Sequence, residues 1–157
     1  MSEPAPQINL ATPADVEALT RLEPALFHTD RCSRRSFRRL IGQDRVVVVR
    51  EKERTILGYA IVLTRRNSRK MRIYSFGIAD TSRRRGLAGA LLAKLEEMAT
   101  AAGCHTLTLE VGDTNTAAIG FYNKHGFCQC GFRLHYYQDG GHAILMRKSL
   151  TPKKNMP

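Results

Sequence analysis

The sequence predicts an α/β fold of the α+β class, and three observations carry that expectation. Val46–Val49 is four valines in a row, apolar without alternation, as in a strand buried on both faces. Leu87 to Ala102 sets Leu87, Leu91, Leu92, Leu95, Met98 and Ala99 on one helical stripe, and Gly103 stands where a C-terminal cap belongs. His105 to Val111 then alternates, with Leu107 and Leu109 between Thr106, Thr108 and Glu110, so one face of that strand is apolar and Glu110 points with the polar set.

The remaining elements follow in order. Thr12 is positioned to cap a helix through about Leu26, with Pro13 at its first position and Val16, Leu19, Leu22 and Leu26 at helical spacing. A short helix is expected over Ser33 to Gly42, where Phe37, Leu40 and Ile41 form the apolar face. Leu57 to Thr64 reads as the hairpin partner of the valine strand, and Met71 to Ala79 as a third strand after the basic turn Arg65 to Lys70. Asn115 to His125 is a further helix, ended by Gly126; Phe132 to Tyr137 and His142 to Lys148 read as two closing strands around Gln138 to Gly141.

A length of 157 residues suits one domain, read as residues 1–150 with a disordered basic tail over 151–157. The longest apolar run is far below the ~20 residues a membrane helix needs, and the polar, proline-containing start lacks the pattern of a secretory signal, so a cytoplasmic location without membrane contact is expected. Four cysteines are expected to be reduced, and only Cys128 and Cys130 lie close together, at a spacing that suits no zinc site, so no metal is expected. Twenty-five Lys plus Arg against 14 Asp plus Glu give a formal charge of +11, whose field attracts anionic ligands and leaves RNA, a ribosome, an acidic protein or a phosphate-bearing cofactor open as partners.

The segment Phe76-Gly77-Ile78 to Arg83-Arg84-Arg85-Gly86-Leu87-Ala88-Gly89 places small residues where a strand gives way to the long helix. Such a turn exposes backbone N–H groups at the positive end of the helix dipole and lets a pyrophosphate approach the main chain. A tight turn with no ligand is the plainer alternative for this segment alone.

Arg83-x-x-Gly86-x-Ala88 resembles the Q/R-x-x-G-x-G/A signature of the GCN5-related N-acetyltransferase (GNAT) superfamily. Leu109-Glu110-Val111, Asn115, Ala117-Ala118-Ile119, Tyr122 and Gly126-Phe127 are similar, in spacing as in letters, to a run found in its ribosomal-protein alanine N-acetyltransferase branch. Arg133-x-x-Tyr136-Tyr137 resembles the segment that enzymes acetylating peptide N-termini place over the substrate amine. The resemblance covers about Tyr74 to Met146 and implies the GNAT fold: a mixed, mostly antiparallel sheet of about 6–7 strands flanked by about four helices. It departs from the pattern where Ala88 replaces the second glycine and Thr81-Ser82 a usual proline, and it fades over the N-terminal third.

What the resemblance implies is an acetyl-CoA-dependent enzyme, a monomer or homodimer, acting on a protein or peptide N-terminal amine. Phe76, Gly77 and Ile78 would bind the pantetheine through their backbone, Arg84, Arg85, Gly86, Leu87, Ala88 and Gly89 the pyrophosphate, and Asn115 would contact the cofactor. Glu110 falls at the general-base position and Tyr122 at the general-acid position. The chemistry needs both: amines with pKa values of ~7.7–8.0 (α) or ~10.4 (lysine) must lose a proton, and a departing thiolate benefits from one. Tyr136 and Tyr137 would face the acceptor.

Arg31, Arg34, Arg35, Arg38 and Arg39 share one side of the second helix, opposite Leu40 and nearly opposite Phe37. Arg35 and Arg38 are therefore candidate contacts to an anionic acceptor, with a solvated basic face as the alternative. Two other readings stand beside the leading one: a small-molecule amine acetyltransferase, and a non-catalytic acyl-CoA- or nucleic-acid-binding module. Intact Glu110 and Tyr122, and the lack of aromatics among the arginines, speak against the module.

Overall fold

The computed structural model describes residues 6–26, 32–52, 55–79 and 86–150. They form a seven-stranded sheet in the order β1-β2-β3-β4-β5-β7-β6. The strands are β1 (Gln7–Leu10), β2 (Val46–Lys52), β3 (Thr55–Thr64), β4 (Lys70–Ile78), β5 (Thr106–Gly112), β6 (Cys128–Arg133) and β7 (Ala143–Ser149), and the helices are α1 (Val16–Leu26), α2 (Arg34–Gly42), α3 (Leu87–Ala101) and α4 (Thr116–Lys124). The β1–β2, β2–β3, β5–β7 and β6–β7 ladders are antiparallel and β4–β5 is parallel, giving the mixed, mostly antiparallel sheet that the resemblance implies.

The chain divides into two compact units, Met1–Val62 with Ser75–Lys94, and Leu63–Tyr74 with Leu95–Pro157. In the first, β2 lies between β1 and β3 and all four valines of Val46–Val49 are buried, which is why the run carries no polar alternation. Phe37 packs edge-on against Tyr59 with ring centres 5.6 Å apart, and Ser33 caps α2 by accepting from the Ser36 N–H at 3.1 Å. Gly58 is required here: a Cβ on it would stand 2.5 Å from the Gly77 carbonyl oxygen and 2.9 Å from the Ile78 Cα.

Two buried carboxylates in this unit are fully engaged. Glu23, 2% exposed, accepts from the Tyr59 phenol and, at 3.0 Å, from the Cys32 N–H. Burial and the Glu23 charge, partly offset by Arg39, push the Cys32 thiol up to about 11, so it stays protonated at neutral pH. Asp15 closes a capping box with Thr12, taking the Thr12 N–H at 2.8 Å, and receives Arg50 through Nη1 at 3.0 Å and Nη2 at 2.8 Å.

In the second unit, β5 buries Leu107, Leu109 and Val111 and leaves Thr106, Thr108, Glu110 and Gly112 part-exposed, the expected alternation. β4 pairs with β5 from Lys70↔Thr106 to Ile73↔Leu109, and β5 pairs with β7 along its whole length. Gly103 and Gly126 follow α3 and α4 with φ of +78° and +93°, the left-handed conformation that ends helices. Lys148 of β7 pairs with Glu96 of α3.

Three expectations are corrected. Gln7–Leu10 is a strand the sequence did not announce, because it is four residues long, at the sheet edge and mostly exposed. Thr12 caps a 3-10 turn, Pro13–Asp15, and the α-helix proper starts at Val16. The first closing strand is Cys128–Arg133 rather than Phe132 to Tyr137, since His135 at φ +52° breaks an extended run. Arg31 and residues 151–157 lie outside the described residues.

Burial raises the Asp15 carboxyl and the Arg50 and Thr12 hydrogen bonds outweigh it, so its folded pKa lies below the ordinary 3.8. Its stabilisation is present above that value and is lost as pH falls through the folded value. Arg50→Leu leaves the carboxylate buried and unpaired, at a cost of ~3–5 kcal/mol at pH 7. In the variant the Thr12 hydrogen bond alone opposes desolvation, the carboxyl takes up a proton more readily, and the deficit is smaller at pH 4. Urea unfolding at the two pH values checks this; an equal deficit at both contradicts it.

Candidate active site

In the first unit, β4 delivers Phe76, Gly77 and Ile78 at its end. Residues 80–85, with Arg83, Arg84 and Arg85, lie outside the described residues. The chain is described again from Gly86, whose φ of +72° is one that side chains rarely adopt and whose Cβ position meets none of the described residues within 4 Å. The Ala90 N–H donates to the Gly86 carbonyl at 3.1 Å as α3 begins, so the N–H groups of Leu87, Ala88 and Gly89 precede the helical ladder. No acidic residue lies in that first turn. A left-handed glycine and three leading N–H groups at the start of a 15-residue helix fit a phosphate-bearing group such as the coenzyme A pyrophosphate.

In the second unit, Glu110 is the first β5 residue beyond the last β4–β5 pair, Ile73↔Leu109. Its side chain is 17% exposed and its Oε2 accepts from Arg72 Nε at 3.0 Å. Arg72 also donates through Nη2 to the Tyr136 phenol oxygen at 2.7 Å, and its guanidinium lies over the Tyr74 ring, 5.5 Å from the centre. Burial works against the Arg72 charge, and the Glu110 carboxylate and Tyr136 outweigh it, so the guanidinium is held more firmly protonated than usual. Arg133 stands over the Tyr136 ring at 5.9 Å.

Tyr136 and Tyr137 meet edge-to-face with centres 5.0 Å apart, and a Cβ on Gly112 would lie 3.9 Å from Tyr137 Cε2. The segment therefore folds back over the Glu110 end of β5. It is held by the Gly140 N–H to the Tyr137 carbonyl at 2.9 Å, the Tyr137 N–H to the Gly141 carbonyl at 3.1 Å, and the His135 N–H to His142 Nδ1 at 2.9 Å.

Tyr122 lies on α4, buried edge-on between Phe121 and Phe127. Burial, and then Tyr137, push its phenol above the usual range. The phenol therefore keeps its proton at neutral pH. Asn115 caps α4, its Oδ1 accepting from the Ala118 N–H at 3.2 Å. Arg34, Arg35, Arg38 and Arg39 of α2 are all exposed, and Arg34 pairs with Glu17 at 3.0 Å.

The structure thus brings Glu110, Tyr136 and Tyr137 together and sets Tyr122 under the influence of Tyr137, all in one unit. The Gly86–Gly89 cradle and Arg35 and Arg38 belong to the other. Arg72 is the functional candidate that sequence reading missed. Its signal was an arginine between Met71 and Ile73 in an otherwise apolar stretch, and only the β4–β5 register turns that into a partner for Glu110.

Residues 14–127 match the Acetyltransferase (GNAT) family, and the chain belongs to that family. It is 35% identical over 83 residues to an N-alpha-acetyltransferase of Sulfurisphaera tokodaii, a match over 52% of this chain and 50% of that protein. It is 33% identical over 75 residues to N-alpha-acetyltransferase MAK3 of Arabidopsis thaliana, over 48% of this chain and 39% of that one. The chain spans about half the length, or less, of these curated relatives. Its fold is shared with Ard1 from Thermoplasma volcanium at a TM-score of 0.85 and 23% identity, covering 95% of this chain and 100% of that one. The Escherichia coli ribosomal-protein-S18-alanine N-acetyltransferase superposes with a TM-score of 0.80 at 25% identity, over 97% and 99% of the two chains.

The raised Tyr122 phenol gives a direct check. Ultraviolet titration of the tyrosines will show a last-ionising phenol that disappears in Tyr122→Phe. A variant that loses instead an ordinarily titrating phenol contradicts the burial assigned to Tyr122.

Proposed function

We propose that this chain is an acetyl-CoA-dependent N-acetyltransferase acting on the α-amine of a peptide or protein N-terminus, read as one catalytic domain over residues 1–150 working in the cytoplasm. The observation that carries the reading is the Glu110–Arg72–Tyr136 network, which ties the candidate base to the Arg133-x-x-Tyr136-Tyr137 segment. The similarity to N-alpha-acetyltransferases points the same way.

When bound, acetyl-CoA supplies an acetyl thioester. The N–H groups of Leu87, Ala88 and Gly89 would hold its pyrophosphate together with Arg84 and Arg85, and the backbone of Phe76 to Ile78 would hold the pantetheine arm. Asn115 contributes from the start of α4. Glu110 takes the proton that the acceptor nitrogen loses as its bond to the acetyl carbon forms. Tyr122 would supply the proton for the departing sulfur, and solvent would restore it. Tyr136 and Tyr137 cover the acceptor, while Arg35 and Arg38 draw in acceptors that carry carboxylates near the terminus.

Glu110→Gln lowers kcat by ~10²–10⁴-fold and leaves acetyl-CoA affinity unchanged, because a positioned base contributes about that much. Gly86→Glu does the reverse, weakening acetyl-CoA binding by putting a side chain and a negative charge into the cradle. Steady-state kinetics with a peptide acceptor and calorimetry with acetyl-CoA separate the two. Full activity of a folded Glu110→Gln removes the base role, and unchanged affinity of a folded Gly86→Glu removes the cradle.

A further inference from the structure

By register, one face of the sheet in the second unit is strongly cationic. Arg72 of β4 and Arg147 of β7 lie on either side of Thr108, the residue of β5 two before Glu110. Arg133 of β6 lies opposite Ala143, itself opposite Gly112, two residues beyond Glu110. Opposed residues share a face, so Arg72, Arg133 and Arg147 surround Glu110 on the face they share. Among the described strand residues of that face, with Lys70 at its margin, Glu110 is the one acid. Its carboxylate is engaged with Arg72 at 3.0 Å, the Tyr136 phenol oxygen accepts from the same guanidinium, and the Tyr74 ring face lies against it.

A protonated amine approaching Glu110 meets the fixed charge of Arg72 a few ångströms away, and like charges at that distance in a partly buried site repel. A neutral amine meets no such barrier and can still hydrogen-bond to the carboxylate. We propose that Arg72 is a specificity-determining residue: by holding Glu110 and placing its own charge beside the acceptor position, it admits the neutral form of an amine and excludes the protonated form. The substrate class that follows is the α-amine, at a pKa of ~7.7–8.0, against the lysine side chain at ~10.4, a gap of more than two pKa units and so several hundred-fold in neutral fraction at pH 7. The inference rests on the functional reading above and adds the physical basis of its acceptor choice.

The test compares two peptides of one sequence, one with a free α-amine and its lysine blocked, the other with the α-amine blocked and its lysine free. Wild-type protein, Arg72→Gln, Arg72→Lys and Glu110→Gln are each assayed by kcat/KM from pH 6 to 9. Wild type prefers the α-amine by at least ~100-fold, and its rate rises with pH as that amine loses its proton. Arg72→Gln lowers the preference about tenfold, equivalent to one pKa unit of discrimination, and shifts the acid limb of the profile to lower pH. Arg72→Lys keeps the charge and so keeps the preference, whatever its overall rate. Melting temperature and acetyl-CoA affinity by calorimetry identify a variant that has merely failed to fold. An unchanged preference and acid limb in folded Arg72→Gln overturns the proposal while the acetyltransferase reading stands. Transfer by wild type to neither peptide overturns both, whereas full activity in folded Glu110→Gln overturns the proposal and the base role while the acetyltransferase reading stands.

Discussion

The parallel pairing of β4 with β5 is the constraint from which the candidate site follows. It is the one parallel ladder among the described pairings and runs only from Lys70↔Thr106 to Ile73↔Leu109. Parallel neighbours cannot be joined by a tight turn; they need a crossover, here α3. The crossover forces a helix to begin shortly after β4 ends, and that beginning is Gly86 with its leading N–H groups. The same ladder sets Arg72 one rung before its end and Glu110 one residue past it, which is how two residues 38 apart in sequence form a hydrogen bond.

Buried charge is handled consistently through the chain. Asp15 has Arg50 and the Thr12 N–H, Glu23 has Tyr59 and the Cys32 N–H, and Glu110 has Arg72. Desolvating a carboxylate is costly, and each is compensated by donors from a different element, so the pairs fix how elements meet as much as they add stability. Of the three, the Glu110 pair is the most open to solvent and lies beside tyrosines from the segment after β6, the setting on which the proposed function rests. The excess of arginine and lysine, by contrast, is mostly spent on exposed faces such as that of α2, where each ion pair is worth little and the summed field matters more.

Much of this was legible in the sequence because burial writes a period into it. The leucine stripe of α3, the alternation in β5 and the unbroken valines of β2 each report how many faces of an element are covered, and each element stands where its pattern put it. The left-handed glycines after α3 and α4 were equally readable, since few other residues suit those positions. β1 was not, because an edge strand with mostly exposed side chains has no apolar face to show. The segment after β6 misled in the opposite way: its aromatic residues look strand-like, yet they serve as a cover for the end of β5, with His135 in a left-handed turn. Among the candidate residues, Glu110, Tyr122 and Gly86 were named from a motif that carries their spacing. Arg72 could not, because pairing between strands 38 residues apart is fixed by register, and register is not written in either strand alone.

The central claim, that this chain is a GNAT acetyltransferase whose acceptor is an α-amine, is tested most directly by locating the transferred group. Purified protein is incubated at pH 7 with isotopically labelled acetyl-CoA and a peptide mixture bearing free N-termini and internal lysines, and tandem mass spectrometry then maps the label. The account predicts label on N-terminal nitrogens, with lysine side chains essentially unmodified. Label concentrated on lysine, or none on any peptide, would contradict it.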